Sequence, residues 1–273
     1  MQGTWEAFSW MGTDVDDILL FEPSPARFNG MSEALEETAH TITVVAGEND
    51  VSAGRFVELP LRFDDTRQMI RFGIEGAVEQ ELVEVGDHVL CLTPMFDGDG
   101  DTLSRVRVTE KGRSGVYDLF VRSESQPGVI RDVFEVAIEL GKKGQKGSPV
   151  GALFVVGDAE AVLNHSRALS YNPFERSHVY VGDQIVTVML KEFSKLDGAF
   201  VVGDDGKIES AYRYLEASAA DVTIPKGLGA RHMSAAAITA ETDATAIVLS
   251  ESDGLVRAFK NGAIIMEIDP DRY

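Results

Sequence analysis

The run Leu196-Asp-Gly-Ala-Phe-Val-Val202, the turn Asp204-Asp-Gly206 and the return Ile208–Tyr212 decide the fold of this chain. An apolar run, a tight glycine turn and a second apolar run read as two neighbouring strands of one sheet. Downstream, Gly227-Leu-Gly-Ala-Arg-His232 leads into an alanine-rich stretch, and the spacing predicts a helix over Ser234–Thr242. A buried strand follows at Ala246–Leu249, then a hairpin closed by Asn261-Gly262. Upstream, Ile130, Val133, Phe134, Ala137 and Ile138 fall at helical spacing and predict a helix over Val129–Leu140, with Gly141 as its C-cap. Pro149–Val156 reads as a buried strand and Ile185–Phe193 as a further helix. The pattern is α/β: a mixed sheet covered by helices.

A second α/β pattern precedes this one. Thr41–Ala46 and His88–Leu92 read as short buried strands, with helices at Met31–Ala39 and Asp64–Gly76. The two patterns meet in the polar run between Ser114 and Gln126, which divides the chain into domains at 1–122 and 123–273. Two segments invite ligand readings that their spacing defeats. Asp97-Gly-Asp-Gly-Asp101 opens like a calcium loop but has Thr102 and Val108 where that loop needs Gly and Glu, so it reads as a solvated acidic turn. Gly141-Lys-Lys-Gly-Gln-Lys-Gly-Ser148 lacks the spacing of a phosphate loop and reads as a connection.

Composition narrows the function classes. An apolar content of 44% is that of a globular protein with a core. No run reaches the roughly 18–20 apolar residues needed to cross a bilayer. Met1–Asp17 lacks the basic-then-apolar layout of a secretory leader, so a cytoplasmic location is expected. Cys91 is the sole cysteine, which excludes an internal disulfide and a multi-thiolate zinc site. With 45 acidic against 25 basic residues, the net charge of -20 excludes non-specific binding of nucleic acid or anionic lipid. Only 9 of the basic residues are lysines and 16 are arginines, a balance suited to a salt-rich cytoplasm, the plain alternative being an acidic mesophilic protein. An anionic ligand must therefore find locally positive ground.

Three clusters offer chemistry. Asp197-Gly198-Ala199 sits where the chain enters a core strand. The loop Gly227–His232 combines glycines, which allow close backbone approach, with the unpartnered first amides of a helix, the fork of Arg231 and the imidazole of His232. Ser250-Glu251 closes a strand. Each alone has a plain structural reading: Asp-Gly as turn chemistry, a satisfied histidine, a strand end facing solvent. His40, His88, His165 and His178 join no cluster, and Trp5 and Trp10 read as packing anchors.

Together the three clusters resemble the signature of the diadenylate cyclase domain. The likeness runs through Leu196–Val202, Ile208–Tyr212, Leu215 and Gly229-Ala-Arg-His-Met-Ser-Ala-Ala236, and covers about residues 129–273. Glu81–Val108 is similar to the end of a pyruvate kinase C-terminal domain, which points to the archaeal, salt-adapted type of cyclase. Bacterial members carry Thr-Arg-His-Arg where this chain has Ala230-Arg231-His232-Met233, so one hydroxyl and one positive charge are missing near the phosphates.

The resemblance implies a soluble enzyme that joins two ATP molecules into cyclic di-AMP and releases two pyrophosphates. It implies Asp197, Arg231 and His232 as catalytic, with Asp197 as base to the attacking hydroxyl. Gly198, Leu215, Ala230, Arg231, His232, Met233, Ser234 and Ser250 would bind ATP, with Leu215 against adenine and the amides of Ala230–Ser234 on the triphosphate. His232 and Glu251 would hold a divalent cation, Mn²⁺ by preference for a nitrogen donor, or Mg²⁺ or Co²⁺. One pocket holds one ATP, so two protomers would face each other as a two-fold homo-oligomer. A non-catalytic sensor of ATP or cyclic dinucleotide is the competing expectation.

Overall fold

The computed structural model describes residues 15–36, 38–63, 65–94, 101–109, 115–121, 127–143, 150–183, 186, 189, 197–218, 222, 224–225 and 227–273. Outside them lie both tryptophans, most of the acidic turn at 97–101, most of the lysine-glycine run and nearly all of the helix expected at 185–193. The chain forms two compact units, Met1–Tyr117 and Asp118–Tyr273.

The first unit carries strands β1 (Asp17–Phe21), β2 (Thr41–Ala46), β3 (Phe56–Glu58), β4 (His88–Pro94) and β5 (Asp101–Arg107) in the order β3-β2-β1-β4-β5. The first four are parallel and β5 returns antiparallel to β4. β1, the run DILLF, is a strand that the sequence reading did not single out. It lies between β2 and β4 with Leu19, Leu20 and Phe21 fully buried. Helix α1 spans Pro25–Leu35, earlier than the expected 31–39, because Ser24 caps it and Pro25 opens it. Helix α2 spans Thr66–Glu79 and is capped by Asp65. It turns Phe72, Gly73 and Gly76 inward, and a Cβ on Gly73 would lie 2.6 Å from the Phe21 ring.

The second unit takes the end of helix α3 (Gly115–Val121), which begins in the first, and includes helices α4 (Pro127–Lys143), α5 (Ala159–Asn164) and α6 (Ala230–Glu241). Its strands β6 (Ala152–Val156), β7 (Ser166–Ala168), β8 (Ala199–Val202), β9 (Ile208–Leu215), β10 (Thr245–Leu249), β11 (Val256–Lys260) and β12 (Ala263–Ile268) form one sheet in the order β12-β11-β10-β6-β8-β9-β7. The mixed character is as expected: β6 and β8 run parallel, and the other described pairs are antiparallel. The core joins Leu153 and Val155 of β6 to Val201, Val248 and Phe259 beneath the alanine face of α6. Gly141 is not a C-cap. α4 continues to Lys143, and Gly141 is a close-packing point where a Cβ would lie 2.8 Å from Pro270 and 3.2 Å from Leu249. α6 begins at Ala230 rather than Ser234, because extended Gly229 caps it. That shift puts Arg231 and His232 inside the first helical turn.

Candidate functional site

One cavity of about 900 Å³ in the second unit is lined by residues of all three sequence clusters. Asp197 and Gly198 come from the entry to β8, Leu215 from β9, Ala230, Arg231, His232 and Ser234 from α6, and Ser250 and Glu251 from the end of β10. Ligand pockets generally measure roughly 300–1,000 Å³, so a nucleotide fits. Met233 is absent from the lining, and its backbone N–H donates to Gly229 O at 3.3 Å. The N–H of His232 does the same at 3.1 Å. The expected cradle of amides from Ala230 to Ser234 therefore narrows to Ala230 and Arg231, the first two of the helix.

Backbone geometry explains how Asp197 is presented. Gly198 has φ +110, and a Cβ there would lie 2.8–2.9 Å from the backbone of Tyr212 and Arg213 on the neighbouring strand. Tyr212 itself is left-handed at φ 57, beside the register shift between β8 and β9. The close approach is open only to glycine, and it delivers the exposed Asp197 to the cavity mouth.

On the opposite side the residues are tied together. Arg231 Nη1 donates to Glu251 Oε2 at 3.2 Å. Gly151, just ahead of β6, makes room for that guanidinium, since a Cβ there would lie 2.5 Å from Arg231 Nη1. The loop after β10 is closed by Ser250 N–H donating to Leu255 O at 2.9 Å and Gly254 N–H to Ser250 O at 3.0 Å. His232 is buried at 3% exposure, with its ring edge toward Phe259. Its Nε2 lies 3.3 Å from Arg257 Nη1. Burial first, and then the Arg257 guanidinium, hold His232 below its ordinary pKa, so the ring is neutral. A guanidinium can only donate, so Nε2 accepts and the proton sits on Nδ1.

That arrangement bears on metal binding. No group of three or more His, Cys, Asp or Glu among the described residues could hold a metal ion. Glu251 has a largely exposed carboxylate in the cavity. His232 has already given its lone pair to Arg257. The donor set fits a cation held mainly by phosphate oxygens and water, with Glu251 as protein ligand. Coordination by His232 would require Arg257 to let go, so a preference for Mn²⁺ from a nitrogen donor has no footing in this geometry.

Several lining residues escaped the sequence reading. Tyr214 is half exposed, and the Arg167 guanidinium lies over its ring at 4.7 Å, a flat edge beside Leu215. Arg213 also lines the cavity but is committed to the fold, donating to Ser166 Oγ and to the carbonyls of Leu163 and Ser166. Arg257 stands behind the lining, and a charged residue within the buried strand Val-Arg-Ala-Phe-Lys260 was the available signal. No described helix is long and apolar enough to cross a membrane.

The site has relatives. Residues 1–128 match the family described as diadenylate cyclase, N-terminal, and residues 139–264 the family described as DisA bacterial checkpoint controller nucleotide-binding. The chain is 66% identical over 260 residues to a diadenylate cyclase of Haloferax volcanii, covering 95% of each chain. It is 38% identical over 257 residues to a diadenylate cyclase of Methanocaldococcus jannaschii, covering 93% of this chain and 78% of the relative. Among solved structures, the DacA of Staphylococcus aureus aligns over 53% of this chain and 89% of its own, at 22% identity and a TM-score of 0.38.

Proposed function

The chain belongs to the diadenylate cyclase family, and from that premise we propose that it condenses two ATP into cyclic di-AMP across a face-to-face pair of its own sites. The observation that carries this reading is the convergence of Asp197, Arg231, His232, Ser250 and Glu251 on one cavity. The 3′-hydroxyl of one ATP attacks the α-phosphorus of the other, the bond to pyrophosphate breaks, and the same exchange closes the ring. Asp197 accepts the hydroxyl proton. Its exposed position at the cavity mouth suits a nucleophile arriving from a second nucleotide. Arg231 and the Ala230 and Arg231 amides at the start of α6 stabilise charge on the phosphates as pyrophosphate leaves. The Arg231–Glu251 pair must loosen to admit the triphosphate, and its exposure makes that inexpensive.

Leu215, with Tyr214 beside it, lies against adenine, while Gly198 lets the ribose approach the backbone. Ser234 and Ser250 offer hydroxyls to phosphate. Diadenylate cyclases generally need a divalent metal; here Glu251 would hold it together with the phosphates, and Mn²⁺, Mg²⁺ or Co²⁺ would each serve. When bound, such an ion neutralises phosphate charge and orients the leaving group. One site holds one reactant, so a two-fold homo-oligomer, at least transient, completes the reaction. We further assign residues 1–122 and 123–273 to separate domains, the first similar to a pyruvate kinase C-terminal domain, in a protein of a salt-rich archaeal cytoplasm.

The test is incubation of the full chain with ATP and Mn²⁺ at high salt, followed by separation of the nucleotides. Cyclic di-AMP with two equivalents of pyrophosphate is expected. Bound but unaltered ATP would instead identify a nucleotide sensor.

A further inference from the structure

We propose that Arg257 is a positioning residue of the phosphate half of this site, the shared tie that sets His232 and the Ser250–Asp253 loop in register. The proposal rests on the cyclase reading and adds a residue that does not line the cavity. Arg257 lies opposite Val248 on β10 and Glu267 on β12, its side chain only 7% exposed. Alternation along β11 puts it on the same face as Phe259, and His232 meets both.

Its guanidinium is divided among three partners. Nε donates to Glu267 Oε2 at 2.6 Å, anchoring the head to the neighbouring strand. Nη2 and Nη1 grip the Asp253 carboxylate at 2.8 and 3.2 Å, and Nη1 also reaches His232 Nε2 at 3.3 Å. Asp253 Oδ1 in turn accepts the Leu255 N–H at 3.1 Å, so the grip on Asp253 fixes the turn that presents Ser250 and Glu251. Two elements 20 residues apart in sequence, the first turn of α6 and the loop after β10, thus hang on one planar cation. Only arginine has donors enough, in a rigid fork, to serve all three at once. The contact also fixes the His232 tautomer, making Nδ1 a hydrogen-bond donor rather than a metal ligand.

The test compares the unaltered full chain with Arg257→Lys, which keeps the charge but not the fork. Three readouts are needed: affinity for 3′-deoxy-ATP, which lacks the attacking hydroxyl; affinity for adenosine; and kcat and KM with ATP. The expected result is a loss of about tenfold in 3′-deoxy-ATP affinity and about 30-fold in kcat, with adenosine affinity within about twofold. Arg257→Lys with unchanged triphosphate affinity and kcat, or with equal losses for both ligands, would overturn the proposal. Should that variant fail to fold, Asp253→Asn carries the same comparison. Failure of the cyclase reading shows separately, as an unaltered chain that binds 3′-deoxy-ATP yet forms no cyclic dinucleotide; the two affinities still decide the role of Arg257.

Discussion

The two sheets bury different kinds of polar group. Among the described residues of the first unit, the buried polar side chains are the hydroxyls of Thr43 and Thr93, beside the thiol of Cys91. The second unit buries an arginine and a histidine as well as five serine and threonine side chains. A cavity in each unit differs in the same way. That of the first unit, about 290 Å³, is lined by Glu22, Glu48 and Asp50 and would repel an anion. That of the second presents Arg167, Arg213 and Arg231. Burying a cation costs several kcal/mol unless it is paired and fully hydrogen-bonded. Arg257 meets that condition with two carboxylates and an imidazole, and an apolar residue would have packed the strand as well. The difference teaches that the buried arginine and histidine of the second unit are placed where they position its site.

Substitutions can break or sharpen that contrast. The largest effect is expected from Asp197→Asn, a loss of about 10³-fold in kcat with 3′-deoxy-ATP affinity within about threefold. Full turnover in that variant would remove Asp197 from the chemistry. Gly198→Ala forces a side chain against the β9 backbone at a positive φ. It should destabilise by about 3 kcal/mol, lower Tm by roughly 5–10 °C and depress kcat through the adjacent Asp197. Gly73→Ala in the first unit meets the Phe21 ring instead. Melting should show a loss of about 2 kcal/mol by overpacking, with kcat of the folded protein unchanged within about twofold.

The smallest effect concerns Cys91, whose burial pushes its pKa up to about 12 from 9.0. The folded state favours the neutral thiol, so this contribution is fully present below about pH 9 and lost as pH rises toward 12. A fall in Tm over that window that disappears in Cys91→Ala would bear this out. In the folded chain at pH 8, the thiol should resist thiol-reactive reagents until denaturant is added.

What the sequence could disclose followed from how local each signal was. β2, β4, β10 and the hairpin at Asn261-Gly262 were legible because a short apolar run or a turn dipeptide carries its meaning by itself. β7 was not, since three residues define no period, and β1 was passed over although its run is as long as β10. Gly141 was misread because its role is set by Pro270 and Leu249, far along the chain. The same divide runs through the site. Asp197, Arg231, His232 and Glu251 sit in compact motifs, and the cavity joins them. Arg257 and Gly151 act through partners contributed by other elements, and the hold of Arg257 on His232 has no counterpart in linear spacing.

The sheet order carries a consequence for biosynthesis. β6, near residue 152, lies between β8 and β10, and β10 is not complete until Leu249. A nascent chain that has emerged only as far as Asp197 therefore lacks both neighbours of its central strand, and the loop that faces Arg231 follows later still. The cavity lining, which runs from Leu153 to Ser252, can be completed only once the chain has left the ribosome past Ser252.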